Sequence, residues 1–504
     1  MPACYIIAID LGTTAEKCVI YDIDGQIIAE DYEEIKAYYP QPGAAEIKAI
    51  DFFKHTCSII RKCIKKSRID VNKIGVISID SLMGGILGID KNYNPVTYYD
   101  TAMNSRGGEE NKYLYEKYGD LSLELSGSYS VYGHKILYWM KKNEYKDIYK
   151  FIHPTALVAG KLVGLSGDDA FIDHSFLSFS AFSDLRKNRW SEEICNKLGL
   201  DIKRLPKIVK STDIIGETSS HLKDIAGLPG GIPVCAGCGD VTAGLVGAGI
   251  LNSGQLMDIS GTANILCLST SDLMSYPSFS AIKSPLGENY YLMISHVLGG
   301  RTLKWFTETF YPELREECMQ NKNNIYQILD KMAERVPVGC GGLVAIDDLQ
   351  GRFFPPYPNM RGLFIGHTWA HEKIYFYRAI LESIAFDYMM AKENINNINP
   401  KIKFEKITAI GSGANSREWL RIKADSLNVK FQTLFRSDLS SLGAAAIGAY
   451  SSGMINNIEE YLKKLLKVKQ TFVPDSEYGK KYKKYYEVYK RLITETRHFY
   501  DMIV

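Results

Sequence analysis

The sequence predicts an α/β protein built from two related domains facing one ligand. Short apolar strands alternate with helix-patterned segments along most of the chain, as in α/β domains. A strand–Gly-Thr–strand hairpin occurs near the start (LGTT, 11–14) and again just past the midpoint (SGT, 260–262). Between the two lies VCAGCGDVTAGLVGAGI (234–250), where Asp240 stands alone among Gly237, Gly239, Gly244, Gly247 and Gly249.

Size and composition agree. The 504 residues are enough for two or three domains with real cores. A composition 46% hydrophobic and 23% charged is ordinary for a soluble globular protein. Sixty basic and fifty-eight acidic residues leave a formal charge of +2, which argues against nucleic-acid or membrane-surface partners. MPACYIIAID lacks a basic leader region, and no uncharged apolar run reaches the roughly 18 residues of a membrane span. The ten cysteines are scattered, mostly in apolar stretches, so a reducing compartment and a cytoplasmic location are expected. Cys235-x-x-Cys238 has no second CxxC, which argues against a zinc or redox site.

The elements follow in order. YIIAID (5–10) and KCVIYDI (17–23) read as strands joined through LGTT, and Asp24-Gly25 turns the chain into QIIAE (26–30). Ile50, Phe53, Cys57, Ile60 and Ile64 share one helical face. IGVISID (74–80) is a buried strand, SLMGGILGID (81–90) leads into another, and helices are predicted near 133–140 and 155–162. Residues 204–233 read as connections. QLMDISGTANILCLS (255–269) repeats the opening hairpin, and HVLGGRTLKWF (296–306) passes from strand to helix through Gly299-Gly300. KITAIGSGANSREWLRIKADSL (406–427) is strand, glycine loop, helix, and SSLGAAAIGAY (440–450) is a small-residue helix suited to pack against that loop. The lysine-rich tail (463–490) reads as the solvated face of C-terminal helices.

The chemistry sits in the turns. Gly12-Thr13-Thr14 joins strand to strand, and GxxxxGK[ST] occurs nowhere, so a Walker loop is excluded. Backbone N–H groups and threonine hydroxyls in such a turn can still hold phosphate oxygens. Asp10 beside them is placed to hold magnesium, through water. A carboxylate among glycines is open to a substrate, and poor hydration raises its pKa toward that of a general base, the role read for Asp240. A helix N-terminus after Gly411-Ser412-Gly413 favours anionic or polar ligand atoms.

These motifs, in this order from Asp10 to about Tyr450, resemble the FGGY family of carbohydrate kinases on the actin-like ATPase (ribonuclease H-like) fold. DLGTTAEK (10–17) resembles the first phosphate motif, with Lys17 in the basic position, and GCGDVTAG (237–244) the segment bearing the catalytic aspartate. SGTAN (260–264) resembles the second phosphate loop, and GSGANSREW with SSLGAAAIGA the adenosine region. The resemblance implies an N-terminal domain, 1–245, a C-terminal domain, 246–504, and an active site in the cleft between them. Asp240 would take a proton from a hydroxyl of a small sugar or polyol, and ATP with Mg2+ would donate the phosphoryl group. Asp10, Gly12, Thr13, Thr14, Lys17, Gly261, Thr262 and Gly300 would serve the phosphates. Gly411, Ser412, Gly413, Ala414 and Asn415 would line the adenosine pocket.

The sugar side departs from the pattern of xylulose kinases. Leu82-Met83-Gly84-Gly85 replaces a Gln-Met-His-Gly-like run, and the Trp-x-Asp-x-Arg match at 98–102 gives Asp100 but Ala102 in place of arginine. Asp100 is the expected sugar contact, with Ser81 and Met83 behind it. A ketopentose-like acceptor is the leading expectation, and a homodimer is compatible with the sequence. A sugar-binding pseudokinase would bind without turnover, and an actin-like nucleotide switch would hydrolyse ATP regardless of any polyol. A dehydrogenase reading of GSGANS fails, because Ser416 takes the sixth position of GxGxxG and the first strand opens into a hairpin.

Overall fold

The computed structural model describes residues 3–261, 264–287, 289–296, 299–352 and 357–503, without the side chains of 294–296. The first half forms a seven-stranded sheet around β1 (Tyr5–Leu11), β2 (Ala15–Asp22) and β3 (Ile27–Glu34), the antiparallel meander expected from the Gly-Thr and Asp-Gly turns. Helix α1 (Ala49–Ser67) covers one face, burying Phe52, Ile59, Ile60 and Cys63. β4 (Ile74–Ser81) then lies parallel to β1 on the side away from β2. Helices α2 (Gly133–Met140) and α3 (Pro154–Val163) occupy the predicted places. The stretch expected to be connections contributes an edge strand, β5 (Ile214–Glu217), beside β6 (Pro233–Cys235). Its residues are half-exposed, so it shows little of the apolar run that marks a central strand.

Residues Cys238–Gly239 pair with Asp80 and Ser81 at the end of β4, and α4 (Asp240–Gly247) starts at the next residue. The second sheet repeats the plan. β7 (Leu256–Ser260) and β8 (Asn264–Thr270) form the hairpin, β9 (Ser280–Lys283) and β10 (Tyr290–His296) extend it, and α5 (Gly299–Phe310) follows. After α6 (Ile325–Ala333) and α7 (Lys373–Ile398), β11 (Lys406–Ile410) runs parallel to β7, as β4 does to β1. α8 (Arg417–Leu427) and β12 (Lys430–Leu434) continue the sheet.

The small-residue helix, α9 (Leu439–Ser451), departs from expectation. It lies on α4 and on β1 and β4 of the first sheet, not on the 411–413 loop. The reason is backbone contact: a Cβ on Gly443 would overlap the carbonyl of Ala243, and one on Gly247 would overlap that of Leu439. Only glycines permit two helices to cross this closely. One buried apolar cluster therefore runs from Ile6, Ala8 and Val76 through Val246, Leu442 and Ile447 to Met257 and Cys267 of the second sheet. The tail also differs, because β13 (Val468–Phe472) adds an edge strand before α10 (Ser476–Glu495). Tyr482, Tyr486 and Tyr489 recur at helical spacing and are buried, so only the lysine side of α10 faces water.

Candidate functional site

The carboxyl ends of the parallel strands β1 and β4 bring acids together. Asp10 pairs across the ladder with Lys17 on β2 and with Asp80 on β4. Because the two strands are in register, both acids project on the face covered by α4 and α9. Asp240 opens α4 just beyond, with Gly239 in extended conformation before it. Its Oδ1 accepts the Val241 N–H at 2.7 Å. Burial, then the charge of Asp10, push the Asp240 pKa up to about 7, against the pull of that N–H.

Asp80 was not foreseen as a site residue. It is completely buried, and neither carboxyl oxygen meets an N–H or hydroxyl donor. Burial, then the charges of Asp10 and Asp240, hold its pKa far above the usual carboxylate range. That environment favours the protonated form of Asp80 beside Asp10. Burial also raises Asp10, while the Asp80 hydrogen bond and the Lys17 charge oppose the shift. A signal was present in the sequence: YIIAID and IGVISID are both apolar strands that close on aspartate.

At the first turn, Gly12 N–H donates to Ala15 O at 3.1 Å, and Thr14 O accepts from Ile35 N–H at 2.9 Å. A Cβ on Gly12 would lie 2.8 Å from Ala15 O, so the turn requires glycine. Thr13 and Thr14 are exposed at its tip. Lys17 forms an ion pair of 2.6 Å with Glu30 beside them. At the second turn Gly261 is described, and Thr262 lies outside the described residues.

Gly261 opens into a pocket of about 610 Å³ that is also lined by Gly300, Ser412, Gly413 and Asn415. Trp419, the last residue of the GSGANSREW stretch, also lines it, as do Asn324, Gln327 and Asp330, which the sequence did not single out. Tyr377 Oη donates to Asp330 Oδ1 at 2.9 Å, and the buried Trp419 indole N–H has no partner. Gly411 and Ala414 stand back from the lining. Gly411 has φ +84° and brings the loop against the Ser260 carbonyl, whereas Ala414 packs on the core behind it.

On the other side of Asp240, a Cβ on Gly239 would overlap the Met83 sulfur, so Met83 lies directly against the start of α4. Ser81 Oγ is bonded to Thr155 Oγ1. Asp100 is buried, and its oxygens take Asn104 Nδ2 at 2.7 Å, Arg106 Nη2 at 2.7 Å and Trp139 Nε1 at 2.6 Å. The guanidinium missing at Ala102 thus arrives four residues later, from Arg106, which also pairs with Glu46. Two of these donors share Oδ1 and one meets Oδ2, so Asp100 orients Arg106, Asn104 and Trp139 and keeps acceptor capacity on Oδ2. Lys135, also buried, donates to Gly84 O at 2.7 Å and Thr101 O at 2.6 Å, and burial lowers its pKa to about 8.

Comparison with known proteins decides the family. Residues 5–247 match the N-terminal domain of the FGGY family of carbohydrate kinases, and residues 256–452 match its C-terminal domain. The chain belongs to the FGGY family of carbohydrate kinases. It is an ATP-dependent sugar kinase, a phosphotransferase, with the two-domain actin-like fold of that family. A xylulose kinase of Bacillus subtilis is 26% identical over 98% of this chain and 97% of its own length. An autoinducer-2 kinase of Yersinia enterocolitica is 23% identical over 94% of this chain and 91% of its own. The crystal structure of a ligand-bound xylulose kinase from Lactobacillus acidophilus superposes with a TM-score of 0.89 at 21% identity, covering 99% of this chain and all of that one. The nucleotide-switch and pseudokinase readings are not favoured beside these FGGY relatives. Among the described residues no helix is long and apolar enough to cross a membrane.

Proposed function

We propose that this FGGY kinase transfers the γ-phosphoryl group of ATP to a hydroxyl of a small sugar or polyol, with Asp240 as the general base. A ketopentose-like acceptor is favoured by the xylulose kinases among its relatives. The reading is carried by one observation: a half-buried carboxylate with a pKa of about 7, at the start of a helix beside Asp10. Near neutral pH such a group is half ionised and poised to accept a proton. The acceptor oxygen bonds to the γ-phosphorus as its proton passes to Asp240, and the bond from phosphorus to the β–γ bridging oxygen breaks, releasing ADP. Such a transfer depends on positioning and on neutralising phosphate charge more than on a strong base.

Gly12, Thr13, Thr14 and Lys17 from the first hairpin and Gly261, Thr262 and Gly300 from the second would hold the phosphates. The 610 Å³ pocket with Ser412, Gly413 and Asn415 would take adenosine. Asp100, held by Arg106 and Trp139, would contact the acceptor, with Ser81 and Met83 behind it. Division into domains at 245/246 suits this sharing of roles. Magnesium fits the donor set, since carboxylate oxygens suit a hard cation. Among the described residues no three side chains of ligand type converge to cage a metal. Asp10 would hold the cation, through water. When bound, it would neutralise charge on the transferring group.

The test is ADP release by wild type and D240N across ketoses, aldonates and polyols, beside a control without acceptor. Acceptor-dependent turnover in wild type that D240N loses, with ADP binding kept, is the expected result. Equal turnover in the variant would remove Asp240 from the role.

A further inference from the structure

Beneath the nucleotide-sized pocket lies an ion pair sealed from solvent. Lys423 on α8 and Asp258 on β7 are both 0% exposed, with Nζ 2.7 Å from Oδ2. The same ammonium donates to Ser260 Oγ at 2.6 Å, and Ser260 Oγ donates to Asp258 Oδ1 at 2.8 Å. Tyr388 Oη donates to Asp258 Oδ1 at 2.7 Å. The ammonium also lies 4.0 Å from the centre of the Trp419 ring, the distance of a cation–π contact.

Net stability is a poor explanation for such a pair. The desolvation of two charges often cancels their attraction, and apolar residues of similar size commonly serve as well. The network does give direction: one ammonium fixes a carboxylate, a hydroxyl and a ring face. Of the three, only the ring lines the pocket, and the carboxylate and hydroxyl lie behind its lining. Ser260 immediately precedes Gly261, and Trp419 is a wall of the pocket. Gly413 closes the gap between them, since a Cβ there would lie 2.5 Å from Ser260 Cβ and 2.8 Å from the Trp419 ring. Turn, loop and indole therefore rest on Lys423 and Asp258.

We propose that Asp258 and Lys423 are positioning residues for the nucleotide, setting the separation between the phosphate turn at Gly261 and the Trp419 wall of the pocket. This rests on the assignment of that pocket to ATP. Neither side chain reaches the ligand, so both act through Ser260 and Trp419. Their loss should raise the KM for ATP and the Kd for ADP while leaving the KM for the acceptor in place.

The experiment measures ADP binding by calorimetry, KM for both substrates and thermal melting, for wild type, the double variant D258L/K423M and the single variant K423R. The double variant should melt close to wild type, because the charges leave together. Its ADP affinity should fall about tenfold, the scale of a site loosened by loss of its supporting contacts, with acceptor KM unmoved. K423R keeps the charge but cannot set a planar guanidinium on Asp258, Ser260 and Trp419 at once, and should lose affinity in the same direction. A double variant that melts like wild type and binds ADP within about twofold of it overturns the proposal, since that is below the coupling of residues in contact. Should the double variant not fold, K423R decides: wild-type ADP affinity there, or failure of both to fold, overturns it. Wild type that binds no ADP overturns the assignment of the pocket itself, and the proposal with it. Normal wild-type binding with unaltered variants overturns the proposal alone.

Discussion

The two hairpins are built alike and carry an acid at neighbouring registers. Setting Gly12 against Gly261 places Asp10 opposite Ile259, with Asp258 one residue earlier. A one-residue offset on a strand exchanges faces. Asp10 therefore stands with Ile6 and Ala8 on the side of α4 and α9, half-exposed. Asp258 points to the opposite side, under α7 and α8, where only the Lys423 ammonium and hydroxyl donors make a buried carboxylate tolerable. One scaffold thus puts an acid to external use in the first half and to internal use in the second.

The largest effect that would test this contrast is on stability. D258L alone strands Lys423 without its counter-charge, and should cost about 3–5 kcal/mol in urea unfolding, whereas D258L/K423M should recover most of it. Equal losses in both would show that the acid is not held by its charge partner. Next comes D240N, expected to cut turnover at least about a hundredfold, the lower range for loss of a general base. D10A should leave melting nearly unchanged and raise the magnesium concentration needed for half-maximal rate by about tenfold, as for a group acting near a charged cofactor. A variant with an unshifted magnesium curve would dissociate Asp10 from the cation.

The smallest effect is in pH dependence. Asp240 must be ionised to accept a proton, so kcat/KM should fall as pH drops through about 7, because its pKa is raised to that value. Stability runs the other way. Folded Asp240 holds a proton that the unfolded chain has released above the ordinary carboxyl value of 3.8, so its contribution declines as pH rises from there to about 7. D240N removes that decline, and its melting temperature relative to wild type should be higher at pH 8 than at pH 5. The same difference at both pH values would count against a raised pKa.

What the sequence disclosed was local. The Gly-Thr turns and the helices at 133–140 and 155–162 depend on neighbouring residues, and periodicity or turn chemistry reveals them. Strand ends, sheet order and long pairings were not open to that reading. Asp80 closes an apolar run as Asp10 does, but that it stands beside Asp10 follows only once β4 is known to pair with β1 in register. Lys423 looks like a solvent-facing lysine in SREWLRIKAD until β7 is placed beneath α8. Arg106 was missed because the expected spacing ended at Ala102, while the turn after Asp100 brings the later arginine back to the same carboxylate. The destination of α9 was misjudged because small residues announce a close approach without naming the partner.

That last helix has a consequence for biosynthesis. Residues 439–451 seat α4 and cover β1 and β4, with a Cβ on Gly448 falling 2.7 Å from Ser78 Cβ. The first sheet thus waits for a helix that follows all of β7 to β12 in the chain before its inner side is sealed. Until then the helix that begins at Asp240 has no fixed seat, and the nascent chain must be kept from aggregating through that open apolar surface.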